Sequence, residues 1–382
     1  MSRYDVIVLG LGAVGAATLY QLAKRGRRVL GIDQFSPPHA FGSSSGESRI
    51  IRKAIGEGDQ YVPLVLRSYE IIREIEKETG ARLLKVTGGL WISSPARQAE
   101  THVANFFDNT LAAARRFKIE HELLPPAEIR RRFPQFAVRD NEVAYYEPDA
   151  GYLRPEACVK AQLDLARKHG AAIRANQRID SLEELPPARV VIVAAGAWVR
   201  KFLPPDTAKI FTVTRQVQYW FQVRGPVERF MPPNFPVWIW ELQDRKNVIY
   251  GFPAIDGSLK LATEQYSDAT QPEPVEPRMA VSDDEKRLMY ETLVAPYFPS
   301  LGPACVKAAA CLYTATPDFH FVMDRHPRLG HVIVASACSG HGFKHSAAVG
   351  EALAEWAVTG RTTLDISSFT LGKRVQSAQA PN

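Results

Sequence analysis

The sequence of 382 residues predicts an α/β protein with a second region of α+β character that is built on an antiparallel sheet. Two observations support this fold class. At the N-terminus an apolar run, a glycine-rich turn and a helical pattern follow one another, which is typical of the first unit of a parallel, doubly wound sheet. Between residues 217 and 308, four short strand-like runs are instead separated by Pro, Gly and Asp turns, as in antiparallel sheets.

The N-terminal unit has the elements of a Rossmann-like dinucleotide-binding motif. Residues 4–9 form the apolar run of a buried strand, and residues 10–15 match the pattern G-x-G-x-x-G. Residues 16–25 follow as a helix and residues 28–32 as a second strand. The glycine pattern alone is weak evidence, but here strand, turn, helix and second strand occur in the right order. The sequence therefore predicts a dinucleotide site, without distinguishing NAD from FAD.

The residues of this motif have separate physical tasks. Gly10 permits the tight turn, Gly12 lets the backbone approach a pyrophosphate, and Gly15 lets helix and strand pack closely. The helix N-terminus offers free N–H groups and a positive dipole end to the phosphates. Asp33, after the second strand, is expected to accept hydrogen bonds from ribose hydroxyls, which argues against NADP. Three neighbours are expected to contact the same ligand: Ala13, Val14 and Gln34.

Patterns further along the chain predict the remaining elements. Helices are expected over residues 61–78, 98–117, 125–133, 155–169 and 350–359. Strands are expected over residues 85–92, 171–176, 189–193, 217–223, 238–242, 248–252, 259–263 and 332–336, with a short end piece at 366–369. We expect a discontinuous nucleotide-binding domain of residues 1–84, 145–216 and 309–382, and a second domain of residues 85–144 and 217–308.

Composition excludes several classes of function. A hydrophobic share of 46% supports a large core, and the net charge of +6 is spread along the chain, so no nucleic-acid footprint is indicated. No apolar run approaches the ~20 residues that span a bilayer. The first strand begins at residue 4, which leaves no room for a signal peptide. Cys158, Cys305, Cys311 and Cys338 lack metal-ligand spacing and suggest no disulfide scaffold, so we expect a cytoplasmic protein without a metal site.

Several segments, in their order and spacing, carry a resemblance to a known family. They include SRIIR at residues 48–52, CLYTATPD at 311–318 and SGHGFK at 339–344, and the full set is 10–15, 48–52, 56–58, 61–64, 250–253, 259–261, 311–318 and 339–344. Through them the chain resembles the monomeric sarcosine oxidase and N-methyl-amino-acid oxidase family over nearly its whole length. The resemblance implies a FAD-binding domain of the glutathione-reductase or D-amino-acid-oxidase type and a separate substrate domain.

The same resemblance implies the cofactor and its contacts. FAD is expected to be bound as a thioether from the flavin 8α carbon to Cys311, although Cys311 as a small buried hydrophobe is the alternative and Cys305 is the nearest competing cysteine. The small-residue turn at residues 194–198 also lets backbone approach a ligand. Further FAD contacts are expected at Ser43, Ser44, Arg49, Ile50, Ala195, Gly196, Trp198, Gly340, His341, Gly342, Phe343 and Lys344.

Two cations are implied to act beside the flavin. The family pattern places Arg49 over one face of the ring and Lys260 on the opposite face. A cation there stabilises negative charge that develops on the reduced flavin or on superoxide. The alternative from the sequence alone is that both residues are ordinary solvated surface charges.

The substrate pocket is expected to contain a carboxylate clamp. Arg52 and Lys344 suit this task, because a guanidinium gives two parallel hydrogen bonds and an ammonium adds a point charge. Tyr250 and Tyr313 are either packing residues or pocket walls with hydroxyls directed at the substrate. Glu264 stands where sarcosine oxidases carry a histidine, which weakens the case for sarcosine and favours a substrate with an additional cationic group.

The expected reaction is the oxidation of a secondary amino acid, N-methylated or cyclic. The uncharged amine transfers a hydride equivalent to flavin N5, the imine hydrolyses in water, and O₂ is reduced to H₂O₂. A cyclic imino acid such as pipecolate, a glycated amino acid and a primary amino acid are alternative substrates. The nucleotide motif alone also permits an NAD-dependent dehydrogenase. We expect a monomer or small homo-oligomer whose partners are the amino acid and O₂.

Overall fold

The computed structural model describes residues 4–275 and 279–372, which form two large sheets, one small sheet and flanking helices. Residues 1–3, 276–278 and 373–382, which belong to the predicted domains, lie outside the described residues. The strands in chain order are β1 (Tyr4–Leu9), β2 (Val29–Ile32), β3 (Arg49–Ile51), β4 (Leu84–Val86), β5 (Gly89–Ser93), β6 (Glu122–Leu124), β7 (Val143–Glu147), β8 (Gly151–Leu153), β9 (Ala172–Arg174), β10 (Ala188–Val193), β11 (Thr212–Val223), β12 (Val237–Glu241), β13 (Val248–Gly251), β14 (Ser258–Thr263), β15 (Leu301–Ala315), β16 (Val322–Arg325) and β17 (Val332–Ser336). The helices are α1 (Ala13–Lys24), α2 (Val62–Thr79), α3 (Phe106–Arg116), α4 (Pro126–Arg132), α5 (Pro155–Lys168), α6 (Pro205–Ala208), α7 (Asp283–Met289) and α8 (Ser346–Thr359).

The first sheet has the strand order β16-β17-β10-β1-β2-β9 and is parallel except for the pair β16–β17. Successive side chains of β1 point to opposite faces. Val6 and Val8 pack with residues of α1, α5 and α8, whereas Ile7 and Leu9 pack in a second core on the other face. Burial on both faces explains why β1 reads as one apolar run. No helix of the described residues is long and apolar enough to cross a membrane.

The second sheet has the strand order β15-β11-β14-β13-β12-β5-β7-β6, and the expectation of an antiparallel sheet is confirmed for every pair except the parallel pair β12–β5. One face is a core that contains Trp238, Ile249 and Leu261. The side chains that alternate with these core residues along each strand point to the other face. Lys260 and Tyr250 are two of them, and the surface on which they lie forms the floor of the site described below.

Two predicted elements differ from the structure. The strand expected over 85–92 is two strands in different sheets, because Gly88 adopts φ +73 between β4 and β5 and turns the chain. The helix expected over 98–117 begins only at Phe106, so residues 94–105 are irregular. Strand β15 was not predicted, because its residues 303–309 are largely exposed and show no apolar alternation.

Four strands run across the predicted domain boundaries. Strand β4 spans the boundary at 84/85, β7 the boundary at 144/145, β11 the boundary at 216/217 and β15 the boundary at 308/309. Strand β4 pairs within the small sheet, and the other three pair within the second sheet on both sides of their boundaries. The division into domains at these residues stays a prediction.

Candidate active site

Two adjoining cavities lie where the first sheet meets the second. The larger, of about 1380 Å³, is lined at the carboxyl ends of β1, β2, β10 and β17, the edge at which open parallel sheets bind ligands. The smaller, of about 750 Å³, is lined by the second sheet, by Thr101, His102 and Phe106, and by residues of the segments 49–57 and 340–344. Four residues line both cavities and mark their junction: Arg49, Tyr313, Gly340 and Phe343.

The larger cavity has the backbone of a dinucleotide cradle. Gly10 has φ +89, and a Cβ there would lie 2.5 Å from the carbonyl oxygen of Ala194. A Cβ on Gly15 would lie 1.7 Å from the carbonyl oxygen of Gly10, so only glycine allows α1 to pack this closely. Gly12 borders the open cavity at the start of α1, where a helix binds phosphate. The residues present fit an adenine dinucleotide.

Asp33 has a structural task that the motif did not reveal. Its carboxylate accepts hydrogen bonds from the backbone N–H of Leu11, at 2.7 Å, and of Phe35, at 2.8 Å. It thereby ties the glycine-rich turn to the end of β2. Asp33 also lines the larger cavity, so its contact with a ribose stays a prediction.

The structure gathers most of the predicted cofactor residues. Those that line the larger cavity are Gly10, Gly12, Ala13, Val14, Asp33, Gln34, Ser43, Ser44, Arg49, Ala195, Gly196, Trp198, Gly340, Gly342 and Phe343. Ile50, His341 and Lys344 line the smaller cavity instead, and Gly15 and Cys311 line neither.

Cys311 lies on β15, two residues before the junction residue Tyr313, and is 2% exposed. Its Sγ is 3.2 Å from the amide Nε2 of Gln218 on β11. The next residue, Leu312, accepts a hydrogen bond of 2.5 Å from Ser43, which lines the larger cavity. The cysteine that itself lines this cavity is Cys338. The competitor expected from the sequence, Cys305, bonds the carbonyl oxygen of Lys307 outside both cavities.

Lys260 is held on the floor of the smaller cavity. Its Nζ donates to the carbonyl oxygens of Gly46, at 2.6 Å, and Ser48, at 2.9 Å. The ammonium also lies 4.5 Å from the ring centre of Phe252. Burial, with a further contribution from the charge of Arg49, lowers the pKa of Lys260 well below its usual value.

Three other predicted residues lie at the junction, Arg49 and Tyr313, or beside it, Tyr250. The hydroxyl oxygens of Tyr250 and Tyr313 lie 3.3 Å apart. Burial raises the pKa of Tyr250 to about 12, so this hydroxyl stays protonated. The guanidinium of Arg49 donates to the carbonyl oxygens of Ser43, at 3.0 Å, and Ser48, at 2.9 Å, and is held across the junction.

Arg52 and Lys344 share a buried carboxylate that the sequence did not reveal. Arg52 Nη2 lies 2.6 Å from Glu57 Oε2, and Lys344 Nζ lies 3.3 Å from Glu57 Oε1. Burial alone would raise the pKa of Glu57, but the two cations hold it well below its usual value. Burial lowers the pKa of Lys344 to about 8. With Lys344 protonated, the three side chains carry a net charge of +1.

Glu264 also has a partner that the sequence did not reveal. Its Oε2 lies 3.0 Å from Nδ1 of His102, whose ring stacks on His341 with centroids 5.6 Å apart. Burial lowers the pKa of His102, but the charge and hydrogen bond of Glu264 raise it more, and the net pKa lies above the usual value. His102 offsets the charge of Glu264, which reduces the need for a cationic substrate group. That preference stays a prediction.

Neither Glu57 nor His102 could be identified as a site residue from the sequence. Glu57 lies in the matching segment 56–58, where it read only as part of a motif, and His102 fell inside the predicted helix 98–117. The other residues that line the smaller cavity and were not predicted as site residues are Thr101, Phe106, Ile239, Val248 and Phe252.

Replacing Glu264 by glutamine is expected to lower the free energy of unfolding on the order of 1 kcal/mol at about pH 6, and less at about pH 9. Folding raises the pKa of His102, so the pair stabilises the protein below the unfolded-state pKa. That contribution is lost as the pH rises through the folded-state pKa. Urea unfolding of Glu264→Gln at both values measures this. Glu285→Gln, which instead removes a partner of Arg215, is the control. Its effect on the free energy of unfolding is expected to be the same at both pH values. An equal deficit of Glu264→Gln at both pH values would contradict the prediction.

Comparison with known proteins agrees with this geometry. The family model of DAO, the FAD-dependent oxidoreductases, matches residues 5–356. A monomeric sarcosine oxidase of Streptomyces avermitilis is 40% identical, with 96% of each chain covered. An N-methyl-L-tryptophan oxidase of Yersinia pestis is 34% identical, with 97% of this chain and 99% of the relative covered.

Solved structures show the same fold. NikD, described as an unusual amino acid oxidase, superposes with a TM-score of 0.81 at 24% identity, covering 97% of this chain and 98% of NikD. An L-proline dehydrogenase from P. horikoshii gives a TM-score of 0.78 at 20% identity, covering 97% of each chain. With a family match over most of its length and relatives at 34% and 40% identity, the chain belongs to the DAO family of FAD-dependent oxidoreductases.

Proposed function

We propose that the protein is a flavin-dependent oxidase of N-methylated α-amino acids. One observation supports this most directly: a buried cluster of net charge +1, formed by Arg52, Glu57 and Lys344, borders a cavity that adjoins the dinucleotide cradle. A single substrate carboxylate would neutralise that cluster. The curated relatives, which are named for sarcosine and for N-methyl-L-tryptophan, are enzymes whose substrates are N-methyl amino acids.

FAD, when bound, accepts a hydride equivalent from the carbon beside the amine nitrogen and passes two electrons to O₂. The backbone at Gly10, Gly12 and Ala13 would hold its pyrophosphate. Arg49, Tyr313, Gly340 and Phe343 border the junction where its reactive ring would meet the smaller cavity.

The chain's own residues would orient the amino acid. Arg52 and Lys344 would bind its carboxylate by charge-assisted hydrogen bonds. Tyr250 and Tyr313 would offer neutral hydroxyls to the amine, which must be uncharged because a protonated nitrogen has no lone pair to support C–H cleavage. Phe106 and Phe252 supply apolar walls that exclude water.

A substrate panel under anaerobic conditions tests this proposal. We expect N-methyl amino acids to bleach the visible flavin absorbance of the purified protein, and their des-methyl parents to do so much more slowly. The panel includes proline, pipecolate and a glycated amino acid, because these are the alternative substrates. Faster bleaching by a cyclic or glycated compound than by any N-methyl amino acid would contradict the proposal.

We further propose that FAD is attached covalently to Cys311. The wild-type protein is then expected to keep its flavin absorbance after denaturation in SDS, and Cys311→Ser is expected to release all of it. Cys338→Ser is the matched control, because Cys338 lines the larger cavity and is expected to leave the attachment intact. Complete release of flavin from the wild type, or retention by Cys311→Ser, would show that the link is absent or elsewhere.

We also propose the product, the compartment and the oligomeric state. O₂ is reduced to H₂O₂, the protein lies in the cytoplasm, and it is a monomer or a small homo-oligomer. A peroxide assay with one equivalent of substrate tests the first, and light scattering of the purified protein tests the last.

A further inference from the structure

Gln218 contacts the sulfur of Cys311 from the neighbouring strand. Its Nε2 lies 3.2 Å from Cys311 Sγ, and the two residues are 4% and 2% exposed. They lie on one face of the sheet, because Cys311 pairs in register with Gln216 and Gln218 follows two positions later. We infer that Gln218 is a positioning residue that prepares the Cys311 sulfur for attachment to FAD. The inference rests on the covalent link proposed above.

The loop that contains Gly46 packs closely over the Gln218 amide. Gly46 has φ +99, a conformation that favours glycine, and a Cβ there would lie 2.2 Å from Gln218 Oε1. The carbonyl oxygen of Gly46 accepts the hydrogen bond from Lys260 described above. Gln218 Oε1 is buried and forms no hydrogen bond with the described residues, whereas its NH₂ group donates to the sulfur.

A donor at the sulfur suits its attack on the flavin. The thiolate is the nucleophile in cysteine chemistry. An amide N–H bonds an anionic sulfur more strongly than a neutral thiol, because the hydrogen bond to the anion is charge-assisted. Gln218 thereby gives the sulfur a partner in its reacting form, and it fixes the direction of the sulfur.

The attachment is a two-electron oxidation, and O₂, the electron acceptor of the proposed function, is its oxidant. The bond formed joins Cys311 Sγ to the methyl carbon at flavin position 8, and the bonds broken are the S–H bond and one C–H bond of that methyl group. The electron pair released passes through the flavin to O₂. O₂ also takes up the two protons and leaves as H₂O₂.

A matched pair of variants tests the role of Gln218. Full-length protein from riboflavin-limited cells is incubated with FAD in air and denatured at intervals, and the flavin that stays on the polypeptide is divided by the total FAD bound beforehand. We expect Gln218→Leu to slow attachment about tenfold or more, because a hydrogen bond to a charged group is lost. Gln216→Leu is the control, since that amide bonds Thr214 and Gln265 and not the sulfur.

The possible outcomes separate the two proposals. Attachment in Gln218→Leu at the wild-type rate overturns the role of Gln218, while the link to Cys311 stands. A wild type that releases all its flavin on denaturation overturns both. If Gln218→Leu binds too little FAD to measure, Gln218→Glu replaces the donor by an acceptor of the same shape and is expected to attach more slowly than wild type. Attachment by Gln218→Glu at the wild-type rate also overturns the inference.

Discussion

Replacing Lys260 by methionine is expected to slow the reaction of the substrate-reduced enzyme with O₂ by about 10²–10³-fold. Anaerobic reduction by substrate is expected to change by less than about tenfold, because the role proposed for Lys260 is to stabilise negative charge and not to bind the carboxylate. Methionine keeps the length of the side chain and its contacts with Trp220 and Phe252, so the change removes mainly the charge.

Stopped-flow measurement of the two half-reactions separates the effects. Lys307→Met is the control, because Lys307 lies 4.7 Å from the ring centre of the same Trp220 but is half exposed and outside both cavities. It is expected to leave both half-reactions unchanged. Equal slowing of reduction and reoxidation in Lys260→Met would instead assign Lys260 to the integrity of the loop that it bonds at Gly46 and Ser48.

The pH dependence of the oxygen reaction provides an independent check. Burial lowers the pKa of Lys260, so its positive charge is lost at a lower pH than that of an exposed lysine. The rate of reaction with O₂ is therefore expected to fall as the pH rises through that lowered pKa. Lys260→Met is expected to show no such fall.

The sequence predicted the parts of this site that depend on local periodicity. Strand β1 and the following glycines are recognisable because burial on both faces and close backbone packing restrict residue types within a dozen positions. Lys260 and Tyr250 were named instead through the family resemblance, and the structure brings them to one sheet surface because their neighbours Ile249 and Leu261 are core residues.

Two of the charge pairs could not be predicted, because they join segments distant in sequence. Glu57 meets Lys344 across 287 positions, and His102 meets Glu264 across 162. His102 lies in an irregular segment that has no periodic signal of its own. A buried ion pair is determined by tertiary packing, so one sequence shows the charges without showing which of them neutralise one another.

Removing either cation of the clamp is expected to weaken carboxylate binding strongly. Loss of one partner of a charge-assisted contact in a buried site costs about 2–5 kcal/mol, which is roughly 30-fold or more in affinity at about 1.4 kcal/mol per tenfold. Butyrate is a suitable probe, because it has the shape of sarcosine without the nitrogen, and its binding beside the flavin is expected to perturb the visible flavin spectrum. Arg52→Met and Lys344→Met are therefore both expected to raise the Kd of butyrate by this factor at about pH 6.5.

Arg67→Met is the control for loss of an ion-paired arginine, because Arg67 pairs with Glu351 outside both cavities. Its Kd for butyrate is expected to match that of the wild type. If Arg52→Met and Arg67→Met weaken the binding of butyrate equally, the effect reflects a general loss of stability and the proposed carboxylate clamp is wrong.

The pH profile distinguishes the two cations of the clamp. The pKa of Lys344 is lowered to about 8 by burial, so the wild type is expected to lose affinity for butyrate as the pH rises through that value. A guanidinium does not deprotonate in proteins, so the decline is not expected to come from an arginine. Arg52→Met is therefore expected to retain the decline near pH 8 at a lower overall affinity, whereas Lys344→Met is expected to bind butyrate weakly and without that decline. A decline near pH 8 that persists in Lys344→Met would assign the titration to another group and leave Arg52 as the main carboxylate ligand.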